Sequence, residues 1–176
     1  EGLTGSADLT SVPPGYLLEA ENLSFNRGLL QKEGGATKYN TTAITGPPVI
    51  LGGWDHRTNA LDQRMVVATS AGTLLKDSGS ATFPVTLASG LNTAMRPFFV
   101  EGGKEAAAGN RKLFVFTGTN AVQVLANDGV TTTALATPPA DWTGTSQPSF
   151  GLIYKARLMA GGNINDPHRL YYSTVT

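Results

Sequence analysis

Arg64-Met65-Val66-Val67-Ala68-Thr69 returns as Lys112-Leu113-Phe114-Val115-Phe116-Thr117 and, more loosely, as Arg157-Leu158-Met159-Ala160-Gly161-Gly162. The copies start 48 and 45 residues apart, so the spacing nearly holds. Upstream of each copy stands a proline-led apolar run, beginning at Pro48, Pro97 and Pro148. A fixed period of this size marks units that cannot bury a hydrophobic face alone and must stack on neighbours. The repeat predicts a scaffold, with function residing in assembly.

Working outward, each copy sits inside a set of short strands. The first repeat predicts strands at Val49–Trp54, Gln63–Thr69, Thr73–Lys76 and Thr82–Leu87, with turns at Ala71-Gly72 and Ser78-Gly79-Ser80. The second predicts Phe98–Glu101, Lys112–Thr117, Ala121–Leu125 and Thr131–Ala136, with an Asp-Gly hairpin signal at Asn127-Asp128-Gly129. The third holds Phe150–Tyr154, Arg157–Gly161 and Arg169–Ser173. Four antiparallel strands per unit is the arithmetic of a propeller blade. The expected fold is therefore all-β: antiparallel four-stranded blades of β-propeller type, about two and a half of them, with an extended N-terminal arm. The organisation reads as an arm and first hairpin over 1–46, blade-like repeats over 47–92 and 93–146, and a partial repeat over 147–176. Two and a half blades do not close a ring. The expectation is either a longer natural chain or a sheet completed against other subunits.

The arm is polar and small up to Val12-Pro13-Pro14, and Gly15–Leu23 is compatible with a short helical turn. Leu23-x-Phe25 and Leu29-x-Gln31 flank Asn26-Arg27-Gly28 as a hairpin. Composition agrees with strands and turns throughout. Gly and Pro number 21 and 10 of 176 residues, above the ~12% of average usage. The 22 threonines fit a pleated sheet, and only 15% of residues are charged.

Net charge is zero, and no basic run exceeds two residues. Tight, sequence-independent nucleic-acid binding needs clustered Lys and Arg to release counterions, so no specific nucleic-acid binding is expected. Without cysteine there is no disulfide framework or zinc-thiolate site. No stretch approaches the ~18 apolar residues of a membrane span.

Histidine meets aspartate only in Asp55-His56-Arg57 and Asp166-Pro167-His168-Arg169. Such groups could ligate a metal or act as an acid/base pair. With both histidines at strand edges, the favoured reading is polar turns, with Asn163, Asn165 and Asp166 capping amides and Pro167 fixing the entry to the next strand. Asp77-Ser78-Gly79-Ser80-Ala81-Thr82-Phe83 resembles the aspartate-box turn of glycan-cleaving propellers. It carries one residue too many between Gly and Thr, and such a box is itself a hairpin turn remote from any active site. Glycoside hydrolysis needs two carboxylates ~5–10 Å apart, and thirteen scattered acids show no recurring pair. Gly102-Gly103-Lys104 lacks the flanking residues of a P-loop, and Gly102–Asn110 reads as a small-residue loop. Trp54, Trp142, Tyr154, Tyr171 and Tyr172 are candidates for a sugar platform or subunit contact, with sealing of the inter-blade core the commoner role. No catalytic, cofactor-binding or metal-ligating residues are assigned, no cofactor is expected, and the chain reads as a non-enzyme.

Three stretches carry a family resemblance. Pro13–Phe25 followed by Gly28–Gly35 is one, and Asn110–Gly118 is the second. The third and most specific is Arg157-Leu158-Met159-Ala160-Gly161-Gly162-Asn163-Ile164-Asn165-Asp166-Pro167-His168-Arg169-Leu170-Tyr171-Tyr172-Ser173. Together they resemble the propeller-bearing tail hub or nozzle (packaged-DNA stabilisation) proteins of short-tailed bacteriophages, which are usually much longer. The resemblance implies a virion structural protein of the tail or head-tail connector. Its partners would be copies of itself in a ring and neighbouring tail, portal or adaptor proteins, and its role would be to retain the packaged genome. Alternatives are a carbohydrate-binding propeller or adhesin using Trp54 and Trp142, a sialidase-like hydrolase using Asp55 and Asp166, or a capsid-surface cement protein.

Overall fold

The computed structural model describes residues 39–40, 42–46, 48–58, 63–80, 82–102 and 111–173, together with strands β1 (Leu23–Asn26) and β2 (Leu29–Lys32). Contacts divide the chain into two units, Glu1–Tyr39 and Asn40–Thr176. In the first unit β1 and β2 pair antiparallel with Asn26 opposite Leu29, as the hairpin expectation required. The residues of its turn, the arm over 1–14, the loop over 103–110 and the expected helical turn over 15–23, apart from Leu23, which begins β1, lie outside the described residues.

The second unit is all-β, and no helix occurs among the described residues. Its first sheet is a four-stranded meander of β3 (Ile50–Arg57), β4 (Gln63–Thr69), β5 (Leu74–Lys76) and β6 (Val85–Ala88). The second repeats this order with β7 (Phe98–Gly102), β8 (Lys112–Phe116), β9 (Gln123–Ala126) and β10 (Thr133–Ala134). The third has three strands, β11 (Phe150–Tyr154), β12 (Arg157–Gly161) and β13 (Tyr171–Tyr172). The first strand of the second sheet, β7, touches both β3 and β11, so the three leading strands lie side by side.

Strand alternation assigns the two faces of each sheet to different neighbours. From the second sheet, Phe99, Leu113, Val115 and Leu125 pack with Val66, Ala68, Leu74 and Leu87 of the first. The interleaved residues Val100, Phe114 and Phe116 point the other way and pack with Ala160, Leu158 and Tyr171 of the third sheet, joined by Trp142. Both faces of β8 are thus buried, which is why Leu113–Phe116 reads as an unbroken apolar run. Burying each such side chain contributes about 1.5–3 kcal/mol.

Two glycines show how close these layers come. A Cβ on Gly151 would stand 2.5 Å from the ring of Phe116, so the buried Phe116 lies directly on the β11 backbone. Gly72 has φ +73°, and its carbonyl accepts from Leu91 N–H at 2.9 Å, turning the β4–β5 hairpin as expected.

The fourth strands are shorter than the sequence predicts. Pro84 has no N–H to give a ladder, and the Thr82 carbonyl is taken by Ser78 N–H at 2.9 Å, so β6 starts at Val85. In the second sheet, Gly129 N–H closes the turn onto the Ala126 carbonyl at 2.9 Å, with Asn127 left-handed at φ +47°. The connection then widens because Thr132 N–H leaves its own sheet to donate to Leu87 of the first, at 2.9 Å.

Candidate functional site

The densest polar cluster lies where the first two sheets meet, and it is built around Glu101 on β7. One carboxylate oxygen of Glu101 accepts from Trp54 Nε1–H at 3.2 Å. The other accepts from Arg57 N–H at 3.1 Å and from the Arg111 guanidinium at 3.2 Å. His56, fully buried, has Nδ1 3.3 Å from that same oxygen, near enough for an ion pair but not aligned as a hydrogen bond. Its Nε2 lies 2.8 Å from the Asn127 carbonyl, and since a carbonyl can only accept, Nε2 carries a proton.

Lys76 completes the cluster from β5. Its ammonium is almost fully buried and donates to Asp128 Oδ1 at 2.6 Å, to the Asp128 carbonyl at 3.1 Å and to the Gly129 carbonyl at 2.8 Å. These use the three protons an ammonium owns. The loop they hold is itself braced, because Asn127 N–H donates to the Arg111 carbonyl at 2.8 Å and Asn127 Oδ1 accepts from Arg111 N–H at 3.2 Å. The first sheet therefore grips the 127–129 turn of the second with the buried Lys76 ammonium and the buried His56 ring. The arrangement immobilises a junction and leaves no group of the Glu101 carboxylate or Lys76 ammonium poised for a substrate.

The sequence candidates divide accordingly. His56 belongs to this junction, whereas Asp55 and His168 are exposed. Among the described residues no group of three or more His, Asp or Glu could hold a metal ion. Around Asp166 the structure shows the polar turn that the sequence suggests. The buried Asn163 accepts from Ser146 Oγ at 2.6 Å and from Asn165 N–H at 3.0 Å, and Asp166 pairs with Arg169 Nε at 3.0 Å. Asp77 likewise accepts from Met65 N–H at 3.1 Å, with Gly79 left-handed beyond it, so the aspartate-box-like segment acts as a hairpin brace.

The aromatic candidates separate into two groups. Trp142 and Tyr171 meet edge to face, with ring centres 5.2 Å apart, inside the core between the second and third sheets. Trp54, Tyr154 and Tyr172 are exposed. Beside the Trp142–Tyr171 pair a pocket of about 330 Å3 opens, walled by Pro138, Pro139, Leu158 and Tyr172 among others. At its rim Tyr171 donates its hydroxyl to Asp141, and Arg169 reaches the same carboxylate oxygen at 2.9 Å. The tyrosine hydrogen bond, supported by Arg169, holds the Asp141 carboxyl below the usual aspartate range, and the same bond raises Tyr171 above the usual phenol range.

Sequence reasoning passed over Glu101, Lys76, Arg111 and Asp141. The available signal was Lys76 itself, a charge closing the apolar run Leu74-Leu75 immediately before Asp77. No protein-family model matches the chain, and neither a curated protein nor a solved structure matches it.

Proposed function

We propose that this chain is a non-enzymatic building part of a tailed-phage virion, in the tail or head-tail connector region, and that its copies assemble into a ring that helps retain the packaged genome. In this reading the three sheets are successive propeller-type blades. The place in the virion rests on the resemblance of Arg157–Ser173.

The observation that carries assembly is the unequal covering of equivalent faces. Residues of the first and second sheets that point to the next sheet, Val66 and Ala68, then Phe114 and Phe116, are buried. On the third sheet the matching face is the cross-strand row Leu152–Met159–Tyr172 with Tyr154 beside it. There Leu152 is 45% exposed, Tyr154 56% and Tyr172 67%. A contiguous apolar face of this kind marks an interaction surface. Because the chain covers the same face twice with a further sheet of its own, the fitting occupant is another sheet of this design, which a neighbouring copy can supply. The polar arm over residues 1–22 adds a segment suited to strand addition at a neighbour's edge.

Mass photometry and negative-stain microscopy test this. Rings are expected from the unaltered chain, with Leu152→Lys plus Tyr172→Lys shifting the population to smaller species. A strict monomer at high concentration overturns the proposal.

A further inference from the structure

We propose that His56 is a proton-operated tie between the first and second sheets, closed when its second ring nitrogen takes up a proton. The tie works within one chain and does not depend on assembly. The ring is fully buried, and its Nε2–H is committed to the Asn127 carbonyl at 2.8 Å. In the neutral ring Nδ1 then carries only a lone pair. It has no hydrogen-bond partner, and it stands 3.3 Å from Glu101 Oε1. Two acceptors so placed repel, and a proton between them turns the contact into a charge-assisted hydrogen bond.

The carboxylate has room for that proton. An ionised Glu offers about four lone-pair sites. Trp54 Nε1–H uses one on Oε2, and Arg57 N–H and the Arg111 guanidinium use two on Oε1. A small turn of the carboxylate, handing one donor on to Oε2, lets Nδ1–H in as the remaining partner. An unspent acceptor site and an unspent ring nitrogen therefore stand side by side, and one proton satisfies both. Burial sharpens the effect, because a polar atom left unsatisfied away from water is costly.

The charges facing the ring come from three sides. Glu101 stands on β7, and Arg111, just before β8, reaches the same carboxylate. The 127–129 turn brings Asp128, to which Lys76 Nζ lies at 2.6 Å and Arg64 Nε at 3.9 Å. Arg64 is the cross-strand partner of His56 on β4. Each of these cations already has a carboxylate: Arg111 has Glu101, and Lys76 and Arg64 share Asp128. Asp55 and Arg57 flank His56 in β3, alternate to the other face and are exposed. With the proton on Nδ1, one imidazole of β3 holds two separate parts of the second sheet, Glu101 on β7 and Asn127 in the turn after β9. Without it, only the hold on Asn127 remains. Imidazole suits such a switch because, as a side-chain type, it changes charge near neutral pH.

The test follows the full chain, isotopically labelled, by NMR between about pH 8 and about pH 5. Trp54 is the reporter, since its indole N–H donates to Glu101 Oε2 at 3.2 Å. Its resonance is expected to move in one step across this range. In parallel, the nitrogen shifts of the His56 ring should pass from one protonated nitrogen to two. His56→Gln should abolish the Trp54 step. Glu101→Gln, which keeps the shape of the acceptor and removes its charge, should abolish it as well. His168→Gln removes the chain's other histidine, which is exposed, and should leave the step intact. A His56 ring that keeps a single proton down to about pH 5 in the folded chain overturns the proposal, and that measurement needs no variant to fold. So does a Trp54 step that survives His56→Gln or vanishes in His168→Gln. A Trp54 resonance that stays still while the His56 ring gains its proton overturns it equally.

Discussion

The two junctions between sheets use the same strand geometry and opposite chemistry. Between the first and second sheets, an apolar layer is flanked by Lys76, His56 and Glu101, whose polar contacts cross from one sheet to the other, with Arg111 bracing Glu101 from within the second. Between the second and third, Trp142 and Tyr171 meet edge to face, an indole donor is unspent, and a pocket opens beside them. Charged groups demand specific partners at specific places, so the first junction admits one register and no guest. Aromatic surfaces are satisfied by area, so the second tolerates an open pocket beside them. The comparison separates a junction closed by paired charges from one that leaves a pocket open.

The largest expected effect lies in the second junction. Phe116 is fully buried and its ring rests on Gly151. Phe116→Ala should cost about 3–5 kcal/mol in urea unfolding, the usual range for emptying such a site. Gly151→Ala places a methyl into the same ring and should cost ~1–3 kcal/mol. The double variant is the sharper experiment, because the small side chain at 116 makes room for the methyl. Its loss should fall short of the sum of the singles by at least about 0.5 kcal/mol. Strict additivity would mean that the two do not touch.

The first junction should respond to how it is disturbed. Asp128→Ala takes the closest partner from a buried ammonium while leaving two carbonyls in place, and about 1–3 kcal/mol of destabilisation is expected. Lys76→Met removes the charge and keeps the stem, so its effect should be smaller, within about 1 kcal/mol. A reversed order would show that the ammonium itself, and not the burial of an unpaired charge, dominates. Arg169→Ala, on an exposed pair, provides the reference and should shift the urea midpoint least of the three.

These differences explain what was legible beforehand. The bounds of β4, β11 and β12 agree with the sequence because short apolar runs end at Arg, Gly or a turn pair. The ends of β6 and β10 did not, since Pro84 and Thr132 answer to hydrogen bonds outside the local strand pattern. The hairpin brace at Asp77 and the polar turn at Asn163–Arg169 were readable because their partners lie within a few residues or on the adjacent strand. Lys76 and Asp128 are 52 residues apart, and Trp54 and Glu101 are 47 apart. Such pairs form only when one repeat is stacked on the next, and no local periodicity announces them. Trp142 was visible as an aromatic, but its unpartnered N–H is a property of packing alone.

The smallest effect concerns the rim of the pocket, where pH should act from both sides. Asp141 titrates lower in the folded chain than when unfolded, chiefly through the Tyr171 hydroxyl and further through Arg169. Its stabilisation is therefore present above the ordinary aspartate value near ~4 and is lost as pH falls through the depressed folded value. Tyr171 titrates higher when folded, chiefly because it donates to Asp141. Its contribution is present below the ordinary phenol value near ~10 and is lost as pH rises through the raised folded value. Asp141→Asn keeps the shape of the acceptor and removes its charge. In an absorbance titration of the tyrosines, the component that ionises last should move to lower pH in this variant, and salt should shrink the difference because the site is open to solvent. An unchanged titration would mean that Tyr171 does not share its proton with Asp141 in solution. The rim would then add no shared proton to the aromatic packing beside it, and the contrast between the two junctions would deepen.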